Sequence, residues 1–248
     1  MKPQLFEPIA LYRECFTVYG DEPKIIIEHA CKHGKIFLYF ENRQAVNMIC
    51  TSTISDGDFE AEYIFAVCTK PEYRGKGIFR KRLEEVIGDA PCVLIPENES
   101  LFAFYEKLGF SPIYSLEAEL EGKSTLQTVE ITAEEVYGIY KNCFQFPKKP
   151  QKLFIASLNA HIEYGGKIFT DGKSAVLVYD GNITDVYAPT PEDALDLTSR
   201  IFDGKYKAVF PLECEGILVS RNINYGKKKT AMGRNLRSHD IYINTLFN

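Results

Sequence analysis

Leu11-Tyr12-Arg13-Glu14-Cys15-Phe16 returns 128 residues further on as Ile139-Tyr140-Lys141-Asn142-Cys143-Phe144. Gly34-Lys35-Ile36-Phe37 returns as Gly166-Lys167-Ile168-Phe169, Ala45-Val46 as Ala175-Val176, and Asp56-Gly57 as Asp180-Gly181, at offsets of 132, 130 and 124. Four echoes in the same order, at an offset near half of 248 residues, point to two similarly folded halves rather than a solenoid of short units. The division falls between 1–115 and 116–248, with Glu121-Gly122-Lys123-Ser124 as a turn just beyond it.

In the first half, runs rich in Ile, Val, Phe and Tyr stand between polar segments such as Glu41-Asn42-Arg43 and Ser55-Asp56-Gly57-Asp58. The pattern predicts helices over about 5–18 and 22–33, then strands over 35–41, 44–54 and 59–69. A helix over about 77–88, a short strand at 92–96, a helix over about 98–108 and a strand from 110 follow. Strands interleaved with helices give an α/β fold with mixed sheets.

Composition narrows the function classes. With 45% apolar and 25% charged residues the chain reads as globular, and no apolar run reaches the eighteen or so residues of a membrane span. Met1 to Ala10 has no signal-like apolar stretch, so a cytoplasmic protein away from membranes is expected. Seven separated cysteines without a CxxC pair read as buried thiols in a reducing compartment. Four histidines lack ligand companions, so no metal is expected. A net charge of −5 argues against a nucleic-acid partner.

The chemistry sits between the third strand and the third helix. From Lys70 to Arg82 there are six cations and one acid, Glu72, a local +5 in a chain of net −5. Helix starts favour acids, because the macrodipole places partial positive charge there, so cations in the first turn need an anion to offset them. No Ser, Thr, Asp or Asn stands just before Gly77 to accept the free amide protons of that turn. Gly75 and Gly77 let the backbone take positive φ and approach a phosphate closely, so Gly75, Lys76, Gly77 and Ile78 read as an anion cradle with Arg74 and Arg80 as charge support. The P-loop and dinucleotide patterns both fail on the residues present.

Arg74-Gly75-Lys76-Gly77 after a strand resembles the acetyl-CoA signature of the GNAT N-acetyltransferases. Asn98-Glu99-Ser100-Leu101-Phe102-Ala103-Phe104-Tyr105-Glu106-Lys107-Leu108-Gly109-Phe110 resembles the later helix of the same family. The likeness covers roughly residues 1–115, and the second half resembles the fold without its loop: a tandem GNAT-like α/β protein with a degenerate second unit. At the equivalent place the second half has Thr190-Pro191-Glu192 and no glycine turn, so it serves as scaffold, pocket wall or homodimer surface.

The resemblance implies acetyl-CoA as acetyl donor and direct attack by a primary amine, on a small molecule or a protein, in a ternary complex. It places Val67, Cys68 and Thr69 along the pantetheine arm with Asn98, Tyr105 as proton donor to the departing sulfur, and Glu62 as the base. Phe79 replaces a small residue of the family pattern; the spacing 79, 83, 87 predicts that it turns inward with Leu83 and Ile87. The bland readings are a core tyrosine at 105, a cap at Asn98, solvated carboxylates at Glu60 and Glu62, an inert thiol at Cys68 and an exposed hairpin tip at Lys227-Lys228-Lys229. An acetyl-CoA-binding regulator or sensor without catalytic power is the alternative function.

Overall fold

The computed structural model describes residues 3–17, 22–56, 59–144 and 151–236. The expected end of the first helix at 18 and the centre of the turn at 57 and 58 lie outside the described residues. The first run of elements is α1 (Pro3–Cys15), α2 (Glu22–His33), β1 (Lys35–Glu41), β2 (Gln44–Asp56), β3 (Phe59–Thr69), α3 (Ile78–Val86), β4 (Cys92–Leu94), α4 (Glu99–Glu106) and β5 (Ser111–Gly122). The second is α5 (Ala133–Tyr140), α6 (Gln151–Glu163), β6 (Lys167–Thr170), β7 (Ala175–Tyr179), β8 (Asn182–Tyr187), α7 (Pro191–Thr198), β9 (Gly204–Phe210), α8 (Glu215–Ser220) and β10 (Tyr225–Arg234). Two helices, three strands, then helix, strand, helix, strand: the same order occurs twice.

The echoed glycines show why part of the repeat persists. A Cβ on Gly34 would stand 2.0 Å from the Thr51 carbonyl oxygen, and one on Gly166 would stand 2.3 Å from the His161 ring. Backbone thus bars a side chain at Gly34, whereas at Gly166 the His161 ring would have to move aside.

Two compact units arise. One takes in the described residues of Met1–Leu94 and Gly233–Arg237 together with Ser100–Ser111; the other takes in Ile95–Glu99 and those of Pro112–Met232. In the first unit the strand order is β1-β2-β3-β4, with β1, β2 and β3 antiparallel, β3 and β4 parallel, and the end of β10 next after β4. Ala45 to Cys50 of β2 are all buried, as expected of a strand covered on both faces. Met48 and Cys50 pack with Leu11, Tyr12 and Ile27 of the first two helices.

In the second unit, β10, β5 and β9 are neighbours in one sheet and β6, β7 and β8 form another. Val176 and Val178 of β7 pack with Leu195 of α7, while Ala175 and Leu177 pack with Val136, Tyr140 and Phe154 of the α5–α6 side. The alternation of a single strand therefore feeds two cores. Lys227, Lys228 and Lys229 correct the hairpin-tip reading: they lie within β10. Across the face of the sheet, Lys228 Nζ lies 2.6 Å and Lys207 Nζ of β9 3.2 Å from the Glu117 carboxylate of β5.

Candidate active site

The site begins where β3 departs from regular pairing. Cys68 stands opposite Met48 but Phe65 stands opposite Cys50, so β3 holds one residue more than β2 over that step. Ala66, inside the bulge, has φ 46°, a left-handed conformation that costs a non-glycine residue about 1–2 kcal/mol. The bulge shifts the alternation, and Phe65 and Cys68, three residues apart, both pack against the α1–α2 cluster. β4 pairs with β3 only from Glu62–Cys92 to Ile64–Leu94. Among the described residues, Ala66 to Thr69, Val67 included, have no strand on that side, which leaves an open backbone edge.

Asn47 fixes this edge from β2. It is 1% exposed, and its Nδ2 donates to the Cys68 carbonyl at 2.8 Å and to Thr69 Oγ1 at 3.0 Å. The sequence reading missed it, although a lone amide in the run Ala45-Val46-Asn47-Met48-Ile49 was the available signal.

A short 3-10 turn, Pro71–Tyr73, carries the chain from β3 to the glycines. Gly75 and Gly77 both have φ 75°, and a Cβ on either would meet nothing within 4 Å. Backbone conformation therefore demands these glycines, and the space over them is open. Gly77 is the N-cap of α3 and no side chain caps it. The first amide of the helix to find an acceptor is that of Lys81, on the Gly77 carbonyl at 3.1 Å. Among the described residues, the amides of Gly75, Lys76, Gly77 and Ile78 have no backbone acceptor.

The nearby cations divide into two sets. Lys81 and Arg82 are matched by Glu85, and Lys70 by Glu14. Arg74, Lys76 and Arg80 have no carboxylate partner among the described residues. Arg74 Nε donates to the Thr69 carbonyl at 2.9 Å, Arg80 Nη2 to the Lys107 carbonyl at 3.4 Å, and Lys76 Nζ lies 4.7 Å from the Tyr73 ring centre. Each guanidinium keeps unused N–H donors and an unbalanced charge. Four free amides below three unmatched cations fit a diphosphate in both charge and donor type.

Phe79, Leu83 and Ile87 are buried, as their spacing predicts. The Phe79 ring meets Tyr105 edge-on at 5.9 Å, and Phe104 and Phe110 approach Tyr105 at 5.3 and 5.5 Å. Tyr105 is thus held by three rings, and burial pushes its phenol well above the ordinary tyrosine range. Glu62 pairs with Thr53 across the strands, accepts from Thr53 Oγ1 at 3.3 Å and lies 3.9 Å from Lys35 Nζ. Asn98 immediately precedes α4, is exposed and belongs to the Ile95–Glu99 segment that groups with the second unit.

Residues 6–110 match the family model described as acetyltransferase (GNAT) family. They are a GNAT acetyltransferase domain. The family's enzymes are acyltransferases that use acetyl-CoA. The GNAT domain and the rest of the chain together match solved structures. A putative acetyltransferase from Pyrococcus horikoshii aligns over 97% of this chain and 90% of its own, with TM-score 0.59 and 15% identity. Eis1 from Mycobacterium abscessus aligns over 93% of this chain and 70% of its own, with TM-score 0.65 and 11% identity. A probable N-acyltransferase of unknown function from Enterococcus faecalis aligns over 94% and 70%, with TM-score 0.65 and 14% identity. At these identities the likeness establishes the fold. No curated protein shows a significant sequence match.

One further residue of the first compact unit escaped the sequence reading. Arg234, 8% exposed, sends Nη1 to Glu84 at 2.6 Å and Nη2 to the Gly88 carbonyl at 2.9 Å, and its guanidinium carbon lies 5.3 Å from the Phe110 ring centre. It comes from 124 residues beyond Phe110, so no local pattern announces it. Among the described residues no three His, Cys, Asp or Glu side chains gather as metal ligands, and no helix is long and apolar enough to cross a membrane.

Proposed function

We propose that the chain is an acetyl-CoA-dependent N-acetyltransferase that moves an acetyl group to a primary amine within a ternary complex. The observation that carries this reading is the uncapped start of α3, with four free amides, two left-handed glycines and three unmatched cations. Acetyl-CoA supplies the activated acetyl thioester. The amides of Gly75 to Ile78 would hold its diphosphate, Phe79 would seat the first turn of α3 against Tyr105, and the open edge at Val67, Cys68 and Thr69 would pair with the pantetheine amides.

Tyr105 keeps its proton at Oη through the neutral range and so can offer it to the departing sulfur. Glu62 would take the proton of the incoming ammonium. It lies four residues before Ala66, about 13 Å along the strand, so a relayed water fits better than direct contact. An amine acceptor agrees with the acidity of the chain.

Calorimetry with acetyl-CoA tests the cradle. Gly77→Ala forces alanine into a left-handed conformation costing about 1–2 kcal/mol, so affinity should fall about tenfold. Thiol release should then appear in a panel of primary amines. Tight binding with no release from any amine would favour a regulator, and an empty cradle in wild type would overturn the reading.

A further inference from the structure

Two charges stand where ordinary stability argues against them. Lys70 follows β3 directly and is 3% exposed, and a buried ammonium is costly unless it is paired. Glu14 lies in the last turn of α1, where the macrodipole disfavours an acid. The two meet, with Lys70 Nζ 2.7 Å from Glu14 Oε2 and the glutamate side chain half-exposed. Apolar side chains in place of a buried pair are often neutral or stabilising, so stability alone does not account for this one.

The backbone of Lys70 is tied as well. Its amide donates to the Val46 carbonyl of β2 at 2.9 Å, and its carbonyl accepts from the Tyr73 amide at 2.9 Å to open the 3-10 turn. One residue thus joins β2, the turn toward the glycines and, through Glu14, α1. It stands between Thr69, the last residue of the open edge, and Gly75, the first of the cradle. Those two parts would hold the pantetheine and the diphosphate of one molecule, so fixing their relative placement in advance lowers the cost of binding it.

The second run of elements supplies an independent contrast. In the echo of Leu11 to Phe16, Glu14 becomes Asn142, whose Nδ2 donates instead to the Gly138 carbonyl at 3.0 Å. At the place of Thr69-Lys70-Pro71-Glu72 stands Thr190-Pro191-Glu192, without the lysine. The run that has the glycine turn has both partners, and the run that lacks the turn has neither.

We propose that Glu14 and Lys70 are positioning residues: their ion pair, anchored on α1, sets the pantetheine edge and the diphosphate cradle relative to each other and so serves acetyl-CoA binding rather than the fold. The proposal rests on the acetyl-CoA reading of the site. Neither residue takes part in the chemistry, and the pair acts through the backbone on either side of Lys70.

Calorimetry with acetyl-CoA on the full-length protein separates this role from charge and from stability. Glu14→Gln removes a negative charge from the unit that would bind the anion, so charge alone predicts tighter binding. Positioning predicts the opposite sign, about tenfold weaker binding. The double variant Glu14→Gln/Lys70→Met leaves the net charge as it was, so charge alone predicts wild-type affinity. Positioning predicts the same tenfold loss and no more, because the two residues act as one unit. ADP, which can reach only the cradle, should bind the variants within about twofold of wild type, whereas a general loosening of the cradle would weaken both ligands alike. Unchanged or tighter acetyl-CoA binding by the variants, or an equal loss for ADP and acetyl-CoA, would overturn the proposal. Should Glu14→Gln fail to fold with Lys70 left unpaired, the double variant, which buries no charge, decides alone. Absence of acetyl-CoA binding by the wild type would overturn the acetyltransferase reading and this proposal together, whereas equal binding by wild type and variants overturns the proposal alone.

Discussion

Tyr105 shows how a single side chain is set by its neighbours rather than by its motif. The rings of Phe79, Phe104 and Phe110 fix its plane, and burial raises its phenol. A raised phenol pKa means the proton stays on as pH rises. The kcat profile should therefore show no loss assignable to this group up to about pH 10, the ordinary tyrosine value. Tyr105→Phe should lower kcat about 10²-fold or more with acetyl-CoA affinity nearly unchanged, as read by steady-state kinetics and calorimetry. Arg234 is a different case, since its partner Glu84 is more than half exposed. Arg234→Met should thus cost about 1–3 kcal/mol in urea unfolding, because Glu84 can return to water while the Gly88 carbonyl loses its donor.

Two helices in equivalent places of the two runs start in opposite ways. α7 has Thr190 as N-cap, accepting from the Asp193 amide at 3.2 Å, proline in the first turn, and Glu192 and Asp193 offsetting the dipole. Lys173 in turn matches Asp193. This start is capped and carries acids rather than unmatched cations. α3 has glycine in that place and basic residues around it. Thr190→Ala should accordingly destabilise the protein by about 1 kcal/mol, seen as a lower urea midpoint, and leave acetyl-CoA affinity unchanged. An equal loss of affinity would show that the second helix start also serves the ligand.

At the scale of the molecule, the repeat and the compact units describe different things. The division at 115 concerns duplicated sequence and stands as a proposal. The compact units draw Gly233 and Arg234 to the unit that holds residues 6–94 and pair β5 with β9 in the second unit. A fragment ending at residue 115 would lack Arg234 and the strand next to β4. It should aggregate or show no cooperative unfolding by circular dichroism, whereas the full chain unfolds cooperatively. A stable, monomeric fragment would show that β10 is dispensable.

The amino-acid sequence alone determined the doubled order of elements, the strand limits of β1 and β3 and the uncapped, basic start of α3. These rest on periodicity, turn residues and capping, which act over a few residues. Only the tertiary structure decided that Asn47 ties down the end of β3, that Arg234 reaches Glu84 and Phe110, and that Cys68 turns toward the α1–α2 cluster. Each joins residues far apart in the chain, and the last depends on one inserted residue in a strand. Alternation read along the sequence assumes no such insertion, so it assigns side chains beyond the bulge to the wrong face.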